Sequence, residues 1–566
     1  MPDTTPKWVT NDQTPNNPYD KSADYEAYLT YLGALTRKLT PEMAAEPLKI
    51  NVFELNDHPD YKAAAIGALE QWQATTGFTF QIIDDRAFDK TTDYMEVVSP
   101  ELGERNDGSA FSSGRFVSIG QRFHDTEPDR AEVGGYVFDS FIHEFGHEFG
   151  LNHPGLYNYS GPGGVQINYL NNATWIYDRQ QYSMMSYFDG IDIGNTSRWS
   201  ATTPMIADIE AVTRHYFATE TDGVWTYQNV QRNTGDDVYG FGSDKLGYTL
   251  TITGPTHDIG FVIHDTGGRD TVDFTDSSAG TILDLRAGHF SSVNGHVNNV
   301  AIFDGHNDDR TEYYIEVGIG SRFDDTMIGN GGDNVLDGGT GRDRMAGLGG
   351  DDTYYVDSRR DIIFERAGGG TDTIIVTSGR YSLKDAAHIE NLEFDSSHTY
   401  DYQTLPADPQ PDSPGRGPIG LHLIGNDLDN ALEGGEGGAL IRGGPGDDTV
   451  TGGRDSLASR DINNTIDVKD LDDRTKSRDV GDDLYGGEGD DAILGGAGDD
   501  LLKGGAGNDT LFGQAGVDVF VGGDGVDTVD FSRESPFQLL VNLRTDLAAG
   551  GTAPGDTFFG IENLIG

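Results

Sequence analysis

Apolar residues recur at three- and four-residue spacing in 22–38, Asp60–Thr75, Val137–Phe149 and Pro204–Tyr216, and this spacing predicts four helices. In the last of them Ile206, Ile209, Val212 and Tyr216 share one face. Between the helices Leu48–Leu55 alternates as a strand does, and Phe78–Ile83, Tyr94–Val98 and Phe116–Gly120 read as further short strands. Mixed elements up to about residue 220 predict one α/β (α+β) domain of ordinary size. After Gly235 the helical spacing disappears, and short β-type runs separated by Gly, Asp and Asn replace it.

A nine-residue period then sets in. Gly486, Gly495, Gly504, Gly513 and Gly522 are nine apart, and earlier blocks cover Gly329–Tyr355 and Gly425–Gly453. Position six of each unit is a carboxylate: Asp343, Asp352, Asp448, Asp491, Asp500, Asp509, Asp518 and Asp527. Position eight is apolar: Met345, Tyr354, Val450, Ile493, Leu502, Leu511, Phe520 and Val529. Each unit predicts a tight turn from its glycine half and a short strand from the rest, with two units per coil stacking the apolar positions inward. Glycine carbonyls and Asp oxygens of neighbouring coils then offer the oxygen shell that calcium prefers. Each coil buries little apolar surface and its carboxylates repel, so folding and calcium binding are expected to be linked. Residues 404–418 carry Pro406, Pro409, Pro411, Pro414 and Pro418 and read as an extended loop, while 454–480 are charged and aperiodic and read as an insertion at the roll's edge.

At 566 residues the chain exceeds one core. The expected organisation is an N-terminal arm and helix (1–45), an α/β domain (46–225), a β-rich junction (226–320), a first roll block (321–400), a Pro-rich loop (401–420) and a second roll block (421–566). The formal net charge of −55 argues against nucleic acid and anionic membranes as partners, and fits a solvated acidic surface or carboxylates awaiting cations. There are no cysteines, which excludes disulfides, thiolate metal sites and cysteine nucleophiles. The sequence from Met1 shows neither a basic n-region nor an apolar h-region, and no run of about 18 apolar residues predicts membrane insertion.

Residues 143–153 read His-Glu-Phe-Gly-His-Glu-Phe-Gly-Leu-Asn-His. His143 and His147 lie four apart on one helical face and can share a metal, with Glu144 placed to reach a metal-bound water. Continuing the helix straight to His153 would carry it about 15 Å along the axis. His153 can join the pair only if the chain turns sharply, and Gly150 is where positive φ costs least. Residues 182–188 read Tyr-Ser-Met-Met-Ser-Tyr-Phe. This string resembles the Met-turn beneath metzincin zinc sites, with Met185 as its methionine.

Together with Pro154-Gly155, Tyr187 and the downstream repeats, these motifs resemble the serralysin family of bacterial metalloproteases with RTX calcium-binding repeats. The resemblance spans about residues 48 to 355. It implies a metzincin catalytic domain (46–225), with 1–45 as a candidate propeptide, followed by an all-β parallel β-roll. One catalytic zinc would be held by His143, His147 and His153, with Glu144 as general base and Tyr187 at the oxyanion. It also implies a calcium near the domain junction held by Gly235, Asp237, Asp265, Gly267 and Asp270, several structural calcium ions in the roll, and a monomer acting on protein or peptide substrates. Substrate would lie along an exposed sheet edge near Ser112–Gly120, giving broad specificity. The family leaves the cell through type I secretion machinery, so a secreted location is expected. The terminal Gly560–Gly566 resembles His388–Leu392, which predicts that the natural chain continues or that its secretion signal departs from the usual form. The alternative function is an inactive calcium-structured surface or adhesion protein, which the intact Glu144, histidines and Tyr187 disfavour.

Overall fold

The computed structural model describes residues 25–33, 46–98, 110–113, 115–119, 135–154, 175, 179–186, 199–221, 224–227, 233, 235–241, 259–303, 315–377 and, with short interruptions, 380–394, 421–451, 483–531 and 540–565. It divides into two compact units, Met1–Asn330 and Gly331–Gly566. The segment expected to open the C-terminal domain therefore lies in the same unit as the helices.

In the first unit the helices α1 (Tyr25–Leu32), α2 (Pro59–Thr75), α3 (Tyr136–Phe149) and α4 (Ile206–Phe217) accompany a five-stranded sheet. Its strands are β1 (Leu48–Asn51), β2 (Phe80–Ile83), β3 (Met95–Val97), β4 (Ala110–Ser113) and β5 (Phe116–Ile119), in the order β2-β1-β3-β5-β4. All neighbours run parallel except β4, which pairs antiparallel with β5 at the edge. Substrate was expected along Ser112–Gly120. The edge is β4 alone, because both sides of β5 are already spent on β3 and β4.

The expected strand Leu48–Leu55 is also shorter. It stops at Asn51, and Phe53–Leu55 forms a 3-10 turn. Asn51 causes the break: its Oδ1 accepts the Phe53 N–H at 3.1 Å, and its Nδ2 donates to Asp93 at 3.2 Å, drawing the backbone away from the ladder.

Helix α3 forms because Val137, Phe138, Phe141, Ile142, Phe145 and Phe149 bury one side of it, leaving His143 and His147 on the other. Phe149 packs edge-on against Trp72 of α2 at 5.2 Å, and the Trp72 indole donates to the Ile142 carbonyl at 3.1 Å. Tyr28, Leu29 and Leu32 of α1 are buried in the same core, and the Leu32 carbonyl accepts the Asn152 N–H at 2.8 Å. The helical part of the expected arm is thus built into the unit that carries the histidines. Farther along, Ile259–Ile263 pairs in parallel with Val300–Ile302 and with Ser200–Ala201, and Val262, Phe290 and Phe303 join that core.

The second unit is a roll. Strand residues pair in parallel with residues 18 later, as Leu484 with Leu502 in one sheet and Ile493 with Leu511 in the other. Two nonapeptides therefore make one coil. All eight position-eight side chains named above, Met345 to Val529, are fully buried. The insertion 454–480 lies outside the described residues, yet Leu440–Pro445 and Asp483–Glu488 on its two sides pair in register, Ile441 with Leu484. Residues 404–418 also lie outside them, and Tyr381 still pairs with Leu423. No described helix is long and apolar enough to cross a membrane.

Candidate catalytic and metal centres

Helix α3 ends where the spacing of the histidines requires it. Gly150 adopts φ 119°, and the Leu151 N–H returns to the Gly146 carbonyl at 2.8 Å. The turn brings His153 back, so its Nε2 lies 3.1 Å from His143 Nε2 and 3.2 Å from His147 Nε2. The opposite ring nitrogens are anchored by backbone: His143 Nδ1 donates to the Met184 carbonyl at 3.0 Å and His147 Nδ1 to the Leu151 carbonyl at 2.8 Å. With Nδ1 protonated, each Nε2 presents a lone pair to the shared point. Burial lowers the pKa of both rings, most for His143, which favours the neutral form a metal needs. Three converging imidazole nitrogens fit zinc.

Glu144 is buried beside them, and burial pushes its carboxyl up to about 7, with Glu148 adding to the rise. The hydroxyl and backbone N–H of Ser112, on edge strand β4, hydrogen-bond to it and oppose the rise. A dication at the histidines would favour the charged carboxylate further.

Met185 is fully buried beneath the site. A Cβ on Gly146 would lie 2.7 Å from Met185 Sδ, so any side chain at the glycine inside His-Glu-Phe-Gly-His would have to displace Met185. Asp208 holds this turn. It accepts the Ser183 hydroxyl at 2.6 Å, the Met184 N–H at 2.8 Å and the Met205 N–H at 3.0 Å. Because Met184 also supplies the carbonyl for His143, Asp208 positions a candidate ligand through one residue. Tyr187 lies outside the described residues.

The junction residues also gather. Asp237, Asp265 and Asp270 bring one oxygen each to within 4.8 Å of one another, and all three are buried. The Gly267 N–H bonds Asp265 at 2.8 Å, while a Cβ on Gly268 would strike the Gly235 carbonyl. Burial, reinforced by the neighbouring carboxylates, raises Asp265 to about 7 and lifts Asp270 as well. Their hydrogen-bond partners Tyr239 and Glu316 carry no signal in the repeat pattern.

In the roll the position-six carboxylates do not converge on one point; they form a ladder. The backbone N–H of Asp491 donates to Asp509 Oδ1 at 2.9 Å, that of Asp500 to Asp518 at 3.0 Å and that of Asp509 to Asp527 at 3.0 Å. Asp343 and Asp448 donate likewise to Asp361 and Asp491. One oxygen of each rung thus fastens the preceding coil. The other sits where a side chain on the first glycine would be: a Cβ on Gly504 would lie 2.0 Å from Asp509 Oδ2, and one on Gly347 2.0 Å from Asp352 Oδ2. The buried Oδ2 atoms of Asp352, Asp509 and Asp527 accept no hydrogen bond among the described residues, as oxygens awaiting a cation should.

A helix broken at a left-handed glycine, three converging histidines and a buried methionine beneath them define a metzincin-type centre, and the coils define a β-roll. The RTX calcium-binding nonapeptide repeat model matches residues 319–354, 424–456, 481–502 and 494–529. The chain is 35% identical over 217 residues to serralysin of Proteus mirabilis, covering 38% of this chain and 40% of that protein. It is 31% identical over 322 residues to serralysin B of Dickeya chrysanthemi, covering 55% and 60%. It is 32% identical over 209 residues to the metalloprotease AprA of Pseudomonas entomophila, covering 36% and 39%. The chain thus spans between 39 and 60% of the length of these relatives. Its likeness is to a serralysin-like metalloprotease with C-terminal RTX repeats.

Proposed function

We propose that this protein is a secreted zinc endopeptidase of broad specificity whose C-terminal half folds on calcium. The observation that carries this reading is the meeting of three histidine Nε2 atoms across the turn at Gly150, with Glu144 buried alongside. Zinc held by His143, His147 and His153 would supply Lewis acidity toward a peptide carbonyl and toward water. The Glu144 carboxylate takes a proton from the attacking water and returns it to the leaving amine. Ser112 holds that carboxylate in place through two hydrogen bonds. Tyr187 is assigned the oxyanion contact on the strength of the Met-turn resemblance. Edge strand β4 offers its free side to an extended substrate, recognising backbone before side chains. The position-six carboxylates of the roll, with Asp237, Asp265 and Asp270, are the proposed calcium ligands. Exit by type I secretion and folding in external calcium complete the reading.

The test is cleavage of quenched-fluorescent casein by the purified chain in millimolar calcium, beside Glu144→Ala. Cleavage by the native chain alone supports the proposal. Failure of both proteins to cut, with zinc bound and the roll folded, overturns it.

A further inference from the structure

The last four carbonyls of an α-helix have no partner inside it. At the end of α3 all four are answered. The Leu151 N–H bonds the Gly146 carbonyl at 2.8 Å and the Gly150 N–H bonds that of His147 at 3.2 Å, the pair of contacts that a left-handed glycine closes by itself. The other two carbonyls are met by side chains from remote elements. The phenol of Tyr94, the residue before β3, donates to the Glu148 carbonyl at 2.9 Å. The phenol of Tyr216, in α4, donates to the Phe149 carbonyl at 2.9 Å. Both bonds are buried, and their donors stand 54 and 67 residues away along the chain.

Past the glycine the chain is held again. The Leu151 carbonyl accepts His147 Nδ1 at 2.8 Å, and the Asn152 N–H donates to the Leu32 carbonyl of α1 at 2.8 Å. The next residue is His153. The Tyr216 ring lies 5.4 Å from that of Phe78, which in turn lies 4.8 Å from Phe149, and this packing fixes where the Tyr216 hydroxyl points. Glycine at 150 permits the turn, but a residue so free in φ does not choose where the turn leads. The direction is set by what grips the carbonyls on either side.

We infer that Tyr94 and Tyr216 are positioning residues for the third histidine: their hydroxyls fix the turn at Gly150 so that His153 Nε2 stands beside those of His143 and His147. Removing either hydroxyl leaves a buried carbonyl unpaired, and the turn must shift to find it another donor. His153 then shifts with the turn. Metal affinity falls in proportion to the fraction of molecules that still hold all three nitrogens together. The inference rests on the zinc reading of the three histidines.

The test is the zinc affinity of the full chain in calcium, read by competition with a chromophoric chelator. Tyr94→Phe and Tyr216→Phe each remove one oxygen, and each should weaken zinc binding on the order of 10-fold while tryptophan emission stays native. In a His153→Ala background the same substitutions should leave the remaining zinc affinity unchanged, because the turn no longer delivers a ligand. Unchanged zinc affinity in both phenylalanine variants, even with a lowered thermal midpoint, overturns the inference and assigns the phenols to stability alone. A loss of equal size in the His153→Ala background overturns it as well. If Tyr216→Phe fails to fold, Tyr94→Phe decides by the same measure. A native chain with no zinc affinity overturns both the inference and the reading beneath it.

Discussion

The two units of this protein keep their shape by different means. In the first, aromatic and aliphatic side chains from Tyr28 to Phe303 form one buried cluster, and outside the Asp237, Asp265 and Asp270 trio several buried carboxylates have partners within the chain. Asp93 is gripped by Arg86 and Asn51, Glu210 by Arg214, and Asp208 by one hydroxyl and two backbone N–H groups. In the roll each nonapeptide buries one apolar side chain and, two residues earlier, one carboxylate. There Asp352, Asp372, Asp509 and Asp527 each keep an oxygen that nothing in the described chain answers. Burial of apolar surface is available to the first unit whenever water is the solvent; on the proposed reading the order of the second depends on a cation.

The sharpest way to break this comparison is to remove calcium while keeping zinc. All five tryptophans, Trp8, Trp72, Trp175, Trp199 and Trp225, precede residue 330, so tryptophan emission reports on the first unit alone. Dialysis into calcium-free buffer should abolish most of the β-sheet circular dichroism and leave the tryptophan emission maximum largely in place. Loss of both signals together would mean that the units are not independent in their source of order. Next in size is Glu144→Ala, expected to lower kcat/KM on casein by about 10²–10⁴-fold with zinc content unchanged. A smaller effect should follow Gly146→Val. The added carbons meet Met185 Sδ, already 2.7 Å from a Cβ there, and overpacking of this kind costs roughly 1–3 kcal/mol. The thermal midpoint read by tryptophan emission should fall in calcium, whereas the roll's dichroism should melt as before.

Much of both units was legible in the sequence, for reasons that differ between them. Helices α2 and α3 begin and end within one residue of their expected limits, because apolar spacing and the breaker Gly150 are local signals. The coil was legible because its period fixes both the buried position and the carboxylate two residues before it. The strand ending at Asn51 was not, since the cause is a side chain reaching Asp93, 42 residues away. The close approach at Gly146 comes from Met185 across the fold, and no local spacing announces it. Ser112, Tyr239 and Glu316 bond residues far along the chain, and no spacing announces them.

Asp208 offers the finest test of how the first unit accommodates a buried carboxylate without a metal. Burial pushes it from an ordinary value of 3.8 up to about 7, against three hydrogen bonds that pull the other way. Its folded form therefore holds a proton more tightly than its unfolded form. The stability this contributes is complete below about pH 4 and is lost as pH rises toward 7. Asparagine at this position keeps the shape, can still accept the Met184 and Met205 N–H groups, and has no proton to lose. Relative to the native chain, Asp208→Asn should gain stability with rising pH, by roughly 1 kcal/mol per unit across that window. Thermal midpoints followed by tryptophan emission in calcium at pH 5 and pH 7 measure it, and the histidine titrations common to both proteins cancel in the difference. A parallel shift of the two proteins would show that Asp208 stays charged throughout, held by its hydrogen bonds alone. The Met-turn would then rest on a buried carboxylate whose charge is stabilised by backbone dipoles, as in an anion site, and the contrast with the carboxylate ladder of the roll would be sharper still.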